Sequence, residues 1–312
     1  MGGRAGDVAT GSSAERAGQS LTEVYERASE LNNLSVRLLG EGRTAEARRA
    51  SAEAVDWYRR LSAATDADLR WHLATALITH STNVAADEGA PGMTLASVVD
   101  DVAVLRGGFS NESLAAVKEG AEMLAHLYDE APDRYRLDMV TALRSYALRL
   151  AQHGYRTRAL AVAERGCRLS DQVTRSVHAL VERSKVHLVW ADLLIECSQP
   201  QAALRAADIA AGGFADLMAQ APQQFAAWYT KSLRSGAAAL EADGDNAAAH
   251  ARAQQVLELR LAGDGQPAAY DAEIDDVVAL YVRTHYALPG ARSPREEALA
   301  ILDPGLPFTR RG

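Results

Sequence analysis

Leu31-Asn-Asn-Leu-Ser-Val-Arg-Leu-Leu-Gly-Glu-Gly-Arg-Thr-Ala-Glu-Ala and Leu143-Arg-Ser-Tyr-Ala-Leu-Arg-Leu-Ala-Gln-His-Gly-Tyr-Arg-Thr-Arg-Ala are two versions of one pattern. Each has an apolar stripe at helical spacing with a small residue inside it. A glycine turn follows, and then a second helix that opens on a buried-type alanine. A helix–turn–helix unit of this kind cannot cover its own apolar face, so it must pack against further copies. The later chain repeats the spacing: Leu160 and Leu204 lie 44 positions apart, Leu114 and Leu160 lie 46, and Ala203 and Ala249 lie 46. The turn glycines Gly42 and Gly154 are 112 apart. Two units of about 45 leave about 22 residues over, which matches an extra segment at 89–110. The pattern predicts five helical hairpins, the second interrupted.

Composition agrees with an all-α chain. Of the 312 residues 48% are hydrophobic, which excludes disorder of the whole chain, and only 6% are aromatic. Much of the apolar content is alanine, a strong helix former that lets helices approach closely. Few windows alternate β-branched and aromatic residues as strands do. The net charge of −8 carries no dominant basic footprint, so nucleic acid is not the expected partner. No apolar run is long enough to span a membrane, and the start lacks the apolar centre of a signal peptide, so the cytoplasm is the expected compartment. Cys167 and Cys197 are the only cysteines, and both are expected as reduced, buried thiols.

Residues 1–19, rich in Gly, Ser and Ala, are expected as a flexible tail. Ser20 and Glu23 make a capping box for a helix to about Leu39. Thr44 caps the next helix, and Thr65 a third over about 66–85. Gly89-Ala-Pro-Gly ends the third helix, a short helix is expected at 93–106, and Asn111 is expected to cap a helix to about Glu130. Long pairs follow at 134–152 with 156–169, 172–197 with 200–218, and 222–242 with 245–262. Beyond the break at Gly263-Asp-Gly-Gln-Pro, residues 263–312 are expected to hold a capping helix at 269–287, a last helix at 293–302 opened by Ser293, Pro294 and Glu296, and a tail.

Chemistry-bearing motifs are sparse. The sequence has no phosphate-cradling glycine loop, no His-Glu-x-x-His and no Gly-x-Ser-x-Gly. Glu119, Glu122 and His126 share one helix face, but the second Glu-x-x-His helix of a di-metal bundle is lacking. His72 and His80 lie two turns apart, and the acids from Asp271 to Asp276 read as a helix start. No cofactor or metal is expected.

The repeated residues resemble the tetratricopeptide repeat (TPR) family, in the long-helix form common in actinobacterial proteins. The family's small residue in the first helix is matched by Ser35, Ala147, Ala191 and Ala237, and its turn by Gly42, Gly154, Ser198 and Gly244. Its early small residue in the second helix is matched by Ala47, Ala159, Ala203 and Ala249. A later one is matched by Ala54, Gly166 and Ala210, with Val256 departing from the pattern. The family's first-helix asparagine is matched only by Asn33, and His80 stands where a large apolar residue is usual. The resemblance covers residues 20–262. It implies a right-handed α-solenoid with a C-terminal capping helix, whose first helices line a concave groove that binds protein or peptide.

Carried over position by position, the resemblance places Asn32, Val36, Trp71, Ile78, Arg144, Leu148, Lys185, Asp192, Lys231 and Arg234 on that groove. Lys185 and Lys231 are equivalent, as are Arg144 and Arg234, so an acidic ligand or a free carboxylate is the expected partner. The alternative for these cations is a solvated surface paired with Asp192 and Glu241. Trp71 is either a stacking anchor in the groove or packing between the first two hairpins. The leading expectation is a non-catalytic adaptor or scaffold. A ligand-responsive regulator and an enzyme using the helical cavity are the alternatives.

Overall fold

The computed structural model describes residues 21–61, 67–89, 110–173, 176–262 and 272–288. The tail, Ser20, the Thr65 cap, the short helix at 93–106, the break at 263–267 and the last helix at 293–302 lie outside these residues. Among the described residues the chain is all-helical, with no strand. The helices are α1 (Leu21–Gly40), α2 (Thr44–Leu61), α3 (Ala67–Glu88), α4 (Asn111–Glu130), α5 (Pro132–Gln152), α6 (Arg156–Ser170), α7 (Val177–Glu196), α8 (Pro200–Met218), α9 (Pro222–Asp243), α10 (Asn246–Ala262) and α11 (Ala272–Ala287). The chain divides into two compact units, Met1–Val162 and Ala163–Gly312.

Four hairpin turns close in the same way. A residue one or two places past the first helix takes a left-handed conformation: Gly42 (φ 75°), Gly154 (φ 79°), Ser198 (φ 57°) and Gly244 (φ 88°). In each, the N–H of that residue donates to the carbonyl three back, and the next N–H to the carbonyl five back. At the second turn these are Gly154 to Ala151 and Tyr155 to Leu150, both 2.8 Å. At the third they are Ser198 to Ile195 (3.0 Å) and Gln199 to Leu194 (2.9 Å). This Schellman arrangement satisfies helix-end carbonyls and favours a residue without a Cβ, which explains glycine at three of the four positions.

The opposite connections repeat too. Ala131 (φ −146°, ψ 77°) precedes Pro132 at the start of α5, and Ala221 (φ −144°, ψ 77°) precedes Pro222 at the start of α9. Proline suits a first helical position, where its missing N–H costs nothing, and it pushes the preceding residue out of the helical region. This is why α5 begins at Pro132 and not at 134. Two other starts also differ from expectation. Asn111 is the first residue of α4, and Ser110 holds the capping position with extended backbone and no side-chain cap bond. α7 begins at Val177 instead of 172, because Ser176 caps it by accepting the Ala179 N–H at 3.1 Å.

The small residues sit where helices touch. Ser35, Ala147, Ala191, Ala237, Ala47, Ala159, Ala203 and Ala249 are all 0% exposed, so each stands at a contact that a larger side chain would force apart. In unit 1, α1 through α5 each pack on the next, and α3 also touches α1 and α5. Its apolar centre joins Val55, Tyr58, Leu61, Leu73 and Leu77. In unit 2, α7 through α11 pack in the same succession, and α9 also touches α7 and α11. Leu188, Phe214, Leu217 and Phe225 form one core there, and Leu233, Val256 and Val277 another. Cys167 is buried and free, and burial pushes its thiol pKa far up. Cys197, expected buried, is half-buried, because it terminates α7 at the turn.

Candidate functional site

The polar side chains of unit 2 concentrate on α7, α9 and α11, the first helices of successive hairpins. Lys185 Nζ lies 3.3 Å from the buried carboxylate of Glu182 one turn back, and 5.1 Å from the centre of the Trp228 ring on α9. Trp228 in turn stacks on the buried ring of Phe214, 5.5 Å between centroids. One turn further along α7 from Leu188, Asp192 accepts a 2.5 Å hydrogen bond from the Ser235 hydroxyl on α9. A hydroxyl on an ionised carboxylate gives the short, charge-assisted type of bond. Arg234 reaches Asp276 on α11 at 3.7 Å, and Arg283 on α11 holds Glu241 on α9 through two nitrogens, at 2.8 and 2.9 Å. Lys231 is 5% exposed, between Thr230 and Ser232, which are also buried. Thus α7, α9 and α11 are joined by charge, hydroxyl and ring contacts, whereas Ala, Leu, Val and Phe side chains form the cores they share with α8 and α10.

These positions correct the solvated-surface alternative for the cations. Lys231 and Asp192 are buried, and Glu241 is taken by Arg283. The matching register of Lys185 and Lys231 does not give matching surroundings: Lys185 is half-buried over an indole, and Lys231 is enclosed. Lys185, Asp192, Lys231 and Arg234 do fall on the same pair of helices.

The expected site residues of unit 1 are more dispersed. Asn32 is half-buried, its Oδ1 enclosed and without a hydrogen-bond partner among the described residues, and Val36 is 44% exposed. Val36 borders an open hollow of about 740 Å³ along α1 with Arg27, Glu30, Leu31, Asn33, Leu34 and Arg37. Trp71 packs edge-on against His72 at 4.6 Å, and His72 stacks on Tyr58 and meets the Tyr25 hydroxyl at 2.8 Å. Trp71 is therefore half-buried beside an aromatic group shared by α1, α2 and α3. Ile78 is half-buried against Gly120. Arg144 is half-buried, and Leu148, placed on the groove by the resemblance, is 4% exposed and belongs to the interior.

Unit 1 also contains a polar node that the sequence did not single out. His80 Nδ1 lies 2.9 Å from the Ser51 hydroxyl, and its Nε2 lies 3.1 Å from Glu112 Oε1. Arg48 binds the other oxygen of Glu112, meets Asp87 at 3.1 Å and Glu88 at 3.7 Å. Glu88 also accepts the Ser110 N–H at 2.8 Å. Hydroxyl, imidazole and carboxylate stand in the order of a hydrolytic triad. However, Ser51 is 0% exposed and its oxygen also bonds to the Arg48 carbonyl at 2.9 Å, so a substrate carbonyl has no approach to it. Burial lowers the His80 pKa from its ordinary 6.5, Glu112 opposes this, and Arg48 and Arg59 add to it. The neutral ring fits the contacts when Nε2–H donates to Glu112 and the single Ser51 proton is shared between His80 Nδ1 and the Arg48 carbonyl. The node therefore ties α2, α3 and α4 together. The only sequence signal for it was a histidine at an apolar position.

The other metal-type residues are engaged elsewhere. Glu119 pairs with Arg59 at 2.7 Å and Glu122 with Lys118 at 3.7 Å, while His72 and His80 contact different partners. Among the described residues no group of three or more His, Cys, Asp or Glu is placed to hold a metal ion, and none of the helices is long and apolar enough to cross a membrane. Comparison with protein-family models and with curated proteins finds no match to this chain.

Proposed function

We propose that the chain is a non-catalytic binding module of tetratricopeptide type, in which the first helices of unit 2 receive a peptide that carries a carboxylate. The observation that carries this reading is the row on α7 and α9: Lys185 over Trp228, Arg234, and the enclosed Lys231 and Asp192. Buried polar and charged groups are costly to desolvate, and apolar residues of similar volume would hold two helices together as well or better. Such a row along one pair of helices supports recognition of a polar ligand at its partly exposed members, Lys185 and Arg234. The indole under Lys185 supplies the kind of flat apolar anchor that dominates peptide interfaces. The recurrent turns and the shaved alanine contacts support stacked repeats within each unit. The cytoplasm is the compartment that fits this reading.

An array of short peptides, each with a free or an amidated C-terminus, tests it with the full chain and with Lys185→Glu (K185E). Preferential binding of free carboxylates that K185E reduces about tenfold or more sustains the proposal. Equal binding of both kinds of end, or binding indifferent to K185E, overturns it.

A further inference from the structure

The four Schellman turns share a backbone and differ in charge. At the α1–α2 turn Arg43 is neutralised on the spot, held by Glu41 at 3.0 Å and Glu46 at 2.7 Å. The α7–α8 turn, from Cys197 to Pro200, carries no charge. The α9–α10 turn is acidic, with Asp245 capping the Ala248 N–H at 3.0 Å and Asp243 accepting from Gln201. The α5–α6 turn in unit 1 is the exception. From Met139 to Ala163 the sequence has four arginines, one histidine and no Asp or Glu. Tyr155, Arg156 and Arg158 are exposed, and Tyr155 keeps 49% of its surface in water.

Arg158 is not committed to an acid. It donates to the Tyr146 hydroxyl at 3.3 Å and stands 5.8 Å from the Tyr155 ring, and among the described residues no carboxylate pairs with it. Glu88, the acid that acts on the neighbouring His153, is turned to Arg48 and the Ser110 N–H. Most arginines elsewhere in the described chain lie in ion pairs, including Arg43, Arg48, Arg59, Arg70, Arg134, Arg252 and Arg283. An unspent guanidinium fork beside an exposed phenol combines two side chains enriched at interface hot spots, and the fork matches carboxylate geometry.

We infer that the α5–α6 turn, through Tyr155 and Arg158, is a docking surface for an acidic peptide segment. The patch is only a few residues long, which suits a short run of Asp and Glu. A nucleic acid would need a longer basic track and would meet repulsion from the rest of the molecule. This surface is distinct from the residues proposed above for carboxylate binding in unit 2, and either assignment can fail alone.

Fluorescence anisotropy of a labelled Asp/Glu-rich peptide, titrated with the full chain at about 50 mM salt, tests the inference. Arg158→Glu (R158E) and Tyr155→Ala (Y155A) should each weaken binding about tenfold, and about 500 mM salt should abolish it. Arg49→Glu (R49E), the same charge reversal on the exposed side of α2, should change affinity less than about twofold. Three results would overturn it: no saturable binding of the probe, binding insensitive to R158E, or a single-stranded oligonucleotide of equal charge binding more tightly with the same dependence on Arg158. Loss of binding in K185E but not in R158E would move the acidic ligand to unit 2.

Discussion

Unit 1 and unit 2 are built from the same hairpin and differ in what they bury between helices. In unit 1 the polar interior is a histidine held between a hydroxyl and a carboxylate, with an arginine on the far oxygen. In unit 2 the α7–α9 row relies on Glu, Asp, Lys and a serine hydroxyl. The first arrangement centres on an imidazole whose pKa burial lowers from the ordinary 6.5, whereas the second is built from carboxylates, lysines and a hydroxyl. Similar backbones thus partly or wholly enclose three imidazoles of lowered pKa in unit 1, and in unit 2 one, His187, on the helix that carries the row of carboxylates and lysine.

The largest expected effect tests how tightly each unit is closed. A Cβ added at Gly120 of α4 would stand 2.8 Å from the Ala74 carbonyl oxygen of α3, a main-chain atom. One added at Gly213 of α8 would stand 2.1 Å from the Ser184 hydroxyl of α7, a side-chain atom. Gly120→Ala and Gly213→Ala should each cost about 1–3 kcal/mol in urea unfolding. The two should then separate. Among the described residues Ser184 Oγ is enclosed without a hydrogen-bond partner, so Ser184→Ala removes both the clash and an unsatisfied hydroxyl. The Gly213→Ala/Ser184→Ala double variant should recover most of the loss. If it recovers none, α8 is held off α7 by something other than this contact. No side-chain change offers Gly120→Ala the same relief.

An intermediate effect sharpens the contrast in proton response. Burial is the leading cause that lowers the pKa of His72, His80 and His153 in unit 1 and of His187 in unit 2 below the ordinary 6.5. As pH falls through 6.5 the unfolded chain takes up protons that these buried rings resist. Their contribution to stability is therefore whole above about pH 6.5 and declines as the medium becomes more acid, down to the folded values. Between about pH 7.5 and 5.5, amide hydrogen exchange, corrected for its intrinsic pH dependence, should show unit 1 losing more protection than unit 2. His80→Gln should flatten the response of α3 and the start of α4. An unchanged pH slope in that variant would remove His80 as its source.

The smallest effect concerns the turns. Ser198 occupies the left-handed position that glycine holds in the other three. Ser198→Gly should stabilise unit 2 by about 0.5–1 kcal/mol, because relief of the Cβ strain exceeds the extra freedom gained by the unfolded chain. A thermal midpoint that falls would mean that the serine side chain makes up for its strained backbone.

The helices and turns were legible because they depend on neighbours in sequence. Gly42, Gly154 and Gly244 stop helices through local backbone geometry, and the alanines at 47, 159, 203 and 249 mark close contact by size alone. A further signal, the Ala131-Pro132 and Ala221-Pro222 pairs 90 positions apart, was present and would have set the start of α5. The site was less legible. The family resemblance placed Leu148 on an open face and treated Lys185 and Lys231 as equivalents, although burial depends on which helices close over each position. The Ser51–His80–Glu112 contact spans three helices, and nothing in the spacing of 51, 80 and 112 announces it.

The bonds that close each hairpin turn run between peptide groups, and no side chain takes part in them. Shape at these corners is thus inherited through the main chain, while the outward chemistry is free to drift. One corner has become self-neutralised, one basic, one neutral and one acidic without altering the bend. A protein built this way can acquire or shed a partner by point substitutions at its corners and keep its framework intact.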